Sequence, residues 1–169
     1  MEPLAIGVLI GLGLLLWLYR SRRRLPAGPP ARPVDASVSK RDAIRAALRA
    51  LVTRENDDAF VFLEDARTRK WVQFGGGAGR PLLFDLPAMA LGKDEMARAI
   101  ALFDELGRGS LETFEVGKRE GGSVPFERGE TYQIRFDAGE VDAAADTALA
   151  VFERVYRLPE GFTLAIDEN

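Results

Sequence analysis

The chain has 169 residues, room for one domain beside an anchor and a linker, with 23 basic and 26 acidic side chains and a formal net charge of −3. It has no cysteine and no histidine, which excludes disulfides, thiol nucleophiles, zinc-thiolate sites and every Ser-His or Cys-His arrangement. The charge is unevenly spread: residues 1–34 hold five arginines against Glu2, a net of +4, and residues 35–169 carry a net of −7. A net-acidic body argues against phosphate-backbone binding, so no nucleic-acid partner is expected.

From Pro3 to Tyr19 the chain is uncharged, and R-S-R-R-R follows at once. Seventeen residues at about 1.5 Å of helical rise reach roughly 25 Å, the short end of what spans a hydrocarbon core. Trp17 and Tyr19 fall at the downstream end, where amphipathic rings favour the headgroup layer. A cleaved signal would put its positive charge first and small residues at the cut; here Glu2 comes first and the boundary is Trp-Leu-Tyr-Arg. Residues 1–24 therefore read as a retained single-pass transmembrane helix, N-terminus out and domain cytoplasmic, at the inner membrane in a bacterium. Arg20, Arg22, Arg23 and Arg24 set that topology and suit anionic lipid heads. Gly7 and Gly11 form a G-x-x-x-G, a spacing that lets two helices approach closely and that glycine-rich apolar spans also show by chance.

Residues 25–38 hold four prolines and read as a semi-rigid linker. Ser39 with Asp42 resembles a capping box, and Ile44, Ala47, Leu48, Leu51 and Val52 recur as one stripe of an amphipathic helix. Arg41, Arg45 and Arg49 line another face, read as solvated in preference to a partner surface. Three strands are expected at 58–64, 71–74 and 82–86, and a helix at 93–106 that stops at Gly107. Strands at 111–116 and 131–136 come next, the second alternating Tyr132, Ile134 and Phe136 with Gln133 and Arg135. A closing helix opens at Asp137 with Glu140, carries Val141, Ala144, Ala148, Phe152 and Val155 inward, and runs to about residue 157 before Pro159.

The expected fold is α+β: an antiparallel sheet of about five strands, with elements in the order α-β-β-β-α-β-β-α over residues 39–162 and a tail at 163–169. The text D-D-A-F-V-F-L-E-D (57–65), W-V-Q-F (71–74), L-L-F-D-L-P (82–87), F-D-E-L-G (103–107) and A-L-A-V-F-E-R-V-Y-R-L-P-E-G (148–161) resembles the type III secretion chaperone/YbjN-like superfamily, and within it the TY-Chap domains. The resemblance spans roughly residues 40–162. It implies a peptide-binding chaperone without a catalytic motif, from a group whose secretion members are small, soluble and often dimeric. A membrane anchor is a departure from those members.

The glycine run 75–79 lacks the G-K-[S/T] of a phosphate loop, and Pro81 and a strand follow it, so it reads as a hairpin connection. Asp57, Asp58, Glu64, Asp65 and Asp85 lack calcium-loop spacing and read as solvated strand ends. No catalytic residue, metal site or cofactor is expected, and no enzyme. The informative feature is the first hairpin. If Leu63 pairs with Val72 and Val61 with Phe74, then Phe60, Phe62, Trp71 and Gln73 share the other face. Both faces are largely apolar, so that second face is either covered by the middle helix or a second copy, or is a contact surface for a protein or peptide. The expected function is a membrane-tethered, non-catalytic protein- or peptide-binding module. The alternative is a small accessory subunit of a larger integral-membrane complex, docked through Gly7 and Gly11.

Overall fold

A computed structural model describes residues 32–35, 37–55, 59–116 and 127–168. The expected anchor at 1–24, with Gly7, Gly11 and the arginine cluster, lies outside the described residues, as do Asp57 and Asp58. Among the described residues no helix is long and apolar enough to cross a membrane.

The first helix, α1 (Lys40–Leu51), starts where its sequence says it should: Asp42 N–H donates to Ser39 Oγ at 3.1 Å. Its apolar stripe, Ile44, Ala47, Leu48 and Leu51, is buried. The second, α2 (Lys93–Leu106), is opened by Gly92 N–H donating to the Glu95 carboxylate at 2.8 Å and closed by Gly107 in the left-handed conformation at φ 58°. The third, α3 (Val141–Ala150), begins after Glu140, whose carboxylate reaches back to the Asp137 N–H at 2.9 Å. It continues as a π-helical turn over Val151–Val155, in which Tyr156 N–H donates to the Val151 carbonyl at 3.0 Å.

Among the described residues seven strands make one sheet, antiparallel throughout: β1 (Arg32–Pro33), β2 (Phe60–Asp65), β3 (Trp71–Gly75), β4 (Leu82–Pro87), β5 (Ser110–Val116), β6 (Glu127–Phe136) and β7 (Leu164–Glu168). Their order is β1-β7-β2-β3-β4-β6-β5. The five expected strands are all present, and the α+β architecture stands. The remaining two come from stretches read as linker and tail. Residues 164–168 pair along all of β2 between Val61 and Asp65, and Arg32 and Pro33 pair in turn with Ile166 and Ala165. Without β7 the apolar strand β2 would leave a row of unpaired amides at a sheet edge, and the chain end satisfies them.

The three described α-helices lie on one face of this sheet. Their buried residues join Val61, Leu63, Val72, Phe74, Leu82, Phe84, Leu86, Tyr132, Ile134 and Phe136 in one core. Two arginines of the α1 row face α3: Arg41 Nε lies 2.5 Å from Asp146 Oδ1, and Arg45 pairs with Asp142. These are intramolecular bridges at the rim of the helix layer, and their exposure keeps their contribution small.

Candidate functional site

The β2–β3 register is the expected one: Leu63 opposes Val72, and Val61 opposes Phe74. With a side-chain period of two, Phe60, Phe62 and Glu64 on β2 then share with Trp71 and Gln73 on β3 the face opposite the described α-helices, helix-free among the described residues. The pairing continues across the sheet. Asp167, Phe62, Gln73, Asp85 and Gln133 form one row over β7, β2, β3, β4 and β6. Ala165, Glu64 and Trp71 form a second, and Pro87 opposite Thr131 extends the same face.

Phe60, Phe62 and Trp71 form an apolar cluster separate from the main core, and Ala90, just after β4, packs against it. The Phe62 and Trp71 rings are diagonal neighbours on adjacent strands and stack with centroids 4.5 Å apart and planes 25° apart. All three aromatics are buried, as is Gln73. The four residues expected to form a contact surface are therefore brought together on one face, as expected. The middle helix, one of the covers expected for them, is on the opposite side of the sheet: α2 sends Ala99, Leu102 and Phe103 into the main core.

Beside the aromatics lies a polar group that the sequence reading placed elsewhere. Asp85, Thr131 and Gln133 are 2%, 1% and 9% exposed. The Thr131 hydroxyl donates to Asp85 Oδ1 at 2.5 Å, and Gln133 Nε2 lies 3.5 Å from the same oxygen. Burial pushes the Asp85 carboxyl up to about 6, and these two donors offset only part of that rise. Asp85 is thus no solvated strand end, and Gln133 is no solvent-facing partner of an alternating strand. The signal available in the sequence was the charge itself: L-L-F-D-L-P places a carboxylate in the middle of an otherwise apolar strand, where it must be either satisfied or functional.

The other carboxylates do not join it. Asp65 faces the helix side and closes the β2–β3 turn, accepting from Thr68 N–H at 2.8 Å, Thr68 Oγ1 at 2.6 Å and Thr163 N–H at 3.2 Å. Partial burial would raise its carboxyl, but these donors outweigh burial and hold it below the usual range. Glu64 is on the aromatic face and takes an ion pair from Arg69 Nε at 2.9 Å. Among the described residues no three acidic side chains are grouped as a metal site. The glycine run leads from β3 to β4 as a connection, with Gly79 at φ 72° and Ala78 N–H donating to the Arg54 carbonyl at 2.6 Å.

What this face offers chemically is shape, apolar area and a short polar row. A carboxyl pushed toward neutrality is a feature of acid–base sites, but desolvation alone accounts for it here, and the groups within its reach are a hydroxyl and a carboxamide. No protein-family model, curated protein or solved structure matches the chain.

Proposed function

We propose that the protein is a membrane-tethered, non-catalytic binding module that holds a protein or peptide segment against the helix-free face of its sheet, on the cytoplasmic side. One observation carries the reading. The sheet has two apolar faces, and all three described helices pack on the same one. The second face sets a stacked aromatic pair beside a buried polar row, a combination suited to an apolar segment with a few hydrogen-bonding groups. The resemblance of residues 40–162 to the YbjN-like and TY-Chap domains points the same way, and the seventeen-residue uncharged run before Arg20 supports the tether.

The test is gentle detergent extraction of the full chain, with intact complexes sized and their components identified. Self-association or several substoichiometric partners is the expected result. One partner at fixed stoichiometry, lost when Gly7 and Gly11 are both replaced by leucine, would instead make this an accessory subunit of a larger membrane complex.

A further inference from the structure

The helix-free face is open at one end of the sheet. Phe60 on β2 opposes Gly75 on β3, Gly75 opposes Leu83 on β4, and Leu83 opposes Arg135 on β6, which makes one row across four strands. In the neighbouring row Phe62, Gln73, Asp85 and Gln133 are all buried. Here only Phe60 is buried: Gly75 and Leu83 are half-buried, and Arg135 is exposed. Pro81 and Asp137, two residues beyond Leu83 and Arg135 toward the same end, are exposed as well.

This opening combines a notch with a free cation. A Cβ built at Gly75 would meet nothing within 4 Å, so the β3 backbone is bare between Phe60 and Leu83. Among the described residues Arg135 makes no ion pair, whereas Arg41, Arg45, Arg54, Arg69, Arg108 and Arg154 all do. Neither Asp85, its diagonal neighbour on β4, nor Asp137 pairs with it; Asp85 takes its hydrogen bonds from Thr131 and Gln133 instead. A guanidinium is a planar fork of donors that matches a carboxylate. Gly75 and Arg135 are two strands apart, about 10 Å at the usual strand spacing, a gap that one residue and the long arginine side chain close between them. A chain end suits both features, because its carboxylate and its side chain leave the same Cα. An internal segment has to continue into Phe60 or into the filled Gln73–Asp85 row, whereas a terminus enters from the open end and stops.

We infer that Gly75, Leu83 and Arg135 seat the C-terminal residue of a partner polypeptide, its carboxylate on the Arg135 guanidinium and an apolar side chain over Gly75 against Phe60 and Leu83. The inference rests on the binding role proposed above and names the part of the partner that is held. An anionic membrane surface shares the charge but fits less well. Such a surface is held by clusters of basic side chains, and the rows of this face set Asp167, Glu64 and Asp85 beside Arg135.

The test uses the full chain in phosphatidylcholine nanodiscs with isotope-labelled arginine and leucine, and N-acetyl-L-leucine as the probe, a single residue with a free carboxylate. Titration is expected to shift the Arg135 Nε–H and Leu83 methyl resonances together along one saturating curve. N-acetyl-L-leucinamide, which lacks the charge, and N-acetylglycine, which lacks the side chain, are each expected to bind roughly tenfold more weakly. Arg135→Gln removes the charge from an exposed side chain, and Gly75→Leu fills the notch where a Cβ meets nothing. Both variants are expected to fold like the parent and to lose the probe. No shift, equal binding of the leucinamide, or equal shifts with inorganic phosphate would overturn the inference. An Arg135 signal that moves when phosphatidylglycerol replaces phosphatidylcholine, with no probe present, would assign the site to lipid and overturn it too. Partners retained in full by Arg135→Gln, without response to the probe, would remove the seat and leave the binding role. A probe that binds a chain holding no partner on extraction would leave the carboxylate seat and remove that role.

Discussion

The Tyr156 hydroxyl donates to the Trp71 carbonyl at 2.7 Å, so the residue whose ring faces away from the helices has its backbone held by the helix layer. The π-helical turn at Val151–Val155 delivers that hydroxyl, and burial pushes it well above the ordinary tyrosine range, which fixes it as a donor. Tyr156→Phe removes the donor and leaves a buried carbonyl without it. The expected cost is about 1–2 kcal/mol, read as a lower midpoint in chemical denaturation with an unchanged slope. A loss within error would show that water replaces the hydroxyl.

Asp85 makes stability fall as pH rises. Its ordinary value is 3.8, and in the folded chain it is pushed up to about 6. Below about pH 4 the group is protonated in both states and its charge costs nothing. Between about 4 and 6 the unfolded chain has released the proton while the folded chain retains it, so folding is progressively penalised; above 6 the full penalty applies. Two units correspond to an upper bound of about 3 kcal/mol. Asp85→Asn, which retains an acceptor for Thr131, is expected to stabilise the protein at pH 7 by about 1–3 kcal/mol and to leave it unchanged near pH 3.5. Equal effects at both pH values would mean that packing, and not ionisation, sets the difference.

Much of the fold was legible because local chemistry and global packing agree. Ser39 and Gly107 mark helix ends that their side chains or conformation require, and the pairing of Leu63 with Val72 follows from the short turn that joins the two strands. Two features were not legible for a physical reason. Leu164–Glu168 is a strand because β2 needs a partner, and that need is stated elsewhere in the chain. Gln133 and Thr131 look solvent-facing because the alternation of β6 describes one strand, whereas burial on the second face is decided by whatever lies across several.

Gly109 and Gly107 should respond differently to alanine. Both have positive φ, 97° and 58°, so both substitutions carry backbone strain. At Gly107 a Cβ meets nothing within 4 Å, whereas at Gly109 it would sit 3.0 Å from Ile134 Cγ1, a residue of the main core. Gly107→Ala is expected to cost about 1 kcal/mol and Gly109→Ala about 2–3 kcal/mol, compared by thermal or urea unfolding of the two variants side by side. Equal costs would indicate that Ile134 shifts freely.

The two faces of β2 supply the most direct comparison. Leu63 is fully buried against the helices, and Phe62, its chain neighbour, is buried on the opposite face. Leu63→Ala opens a cavity in a core closed by three helices and is expected to cost about 2–5 kcal/mol. Phe62→Ala removes a larger side chain, yet its expected cost is under about 2 kcal/mol, because among the described residues it packs in a small cluster of three aromatics and not in the main core. The double substitution of Phe62 and Trp71 by aspartate sharpens the contrast. The expected protein retains its far-UV circular dichroism and loses whatever it held in the extracted complex. Unfolding of that variant, together with a Phe62→Ala cost equal to that of Leu63→Ala, would make this face a second structural core and remove it as a contact surface.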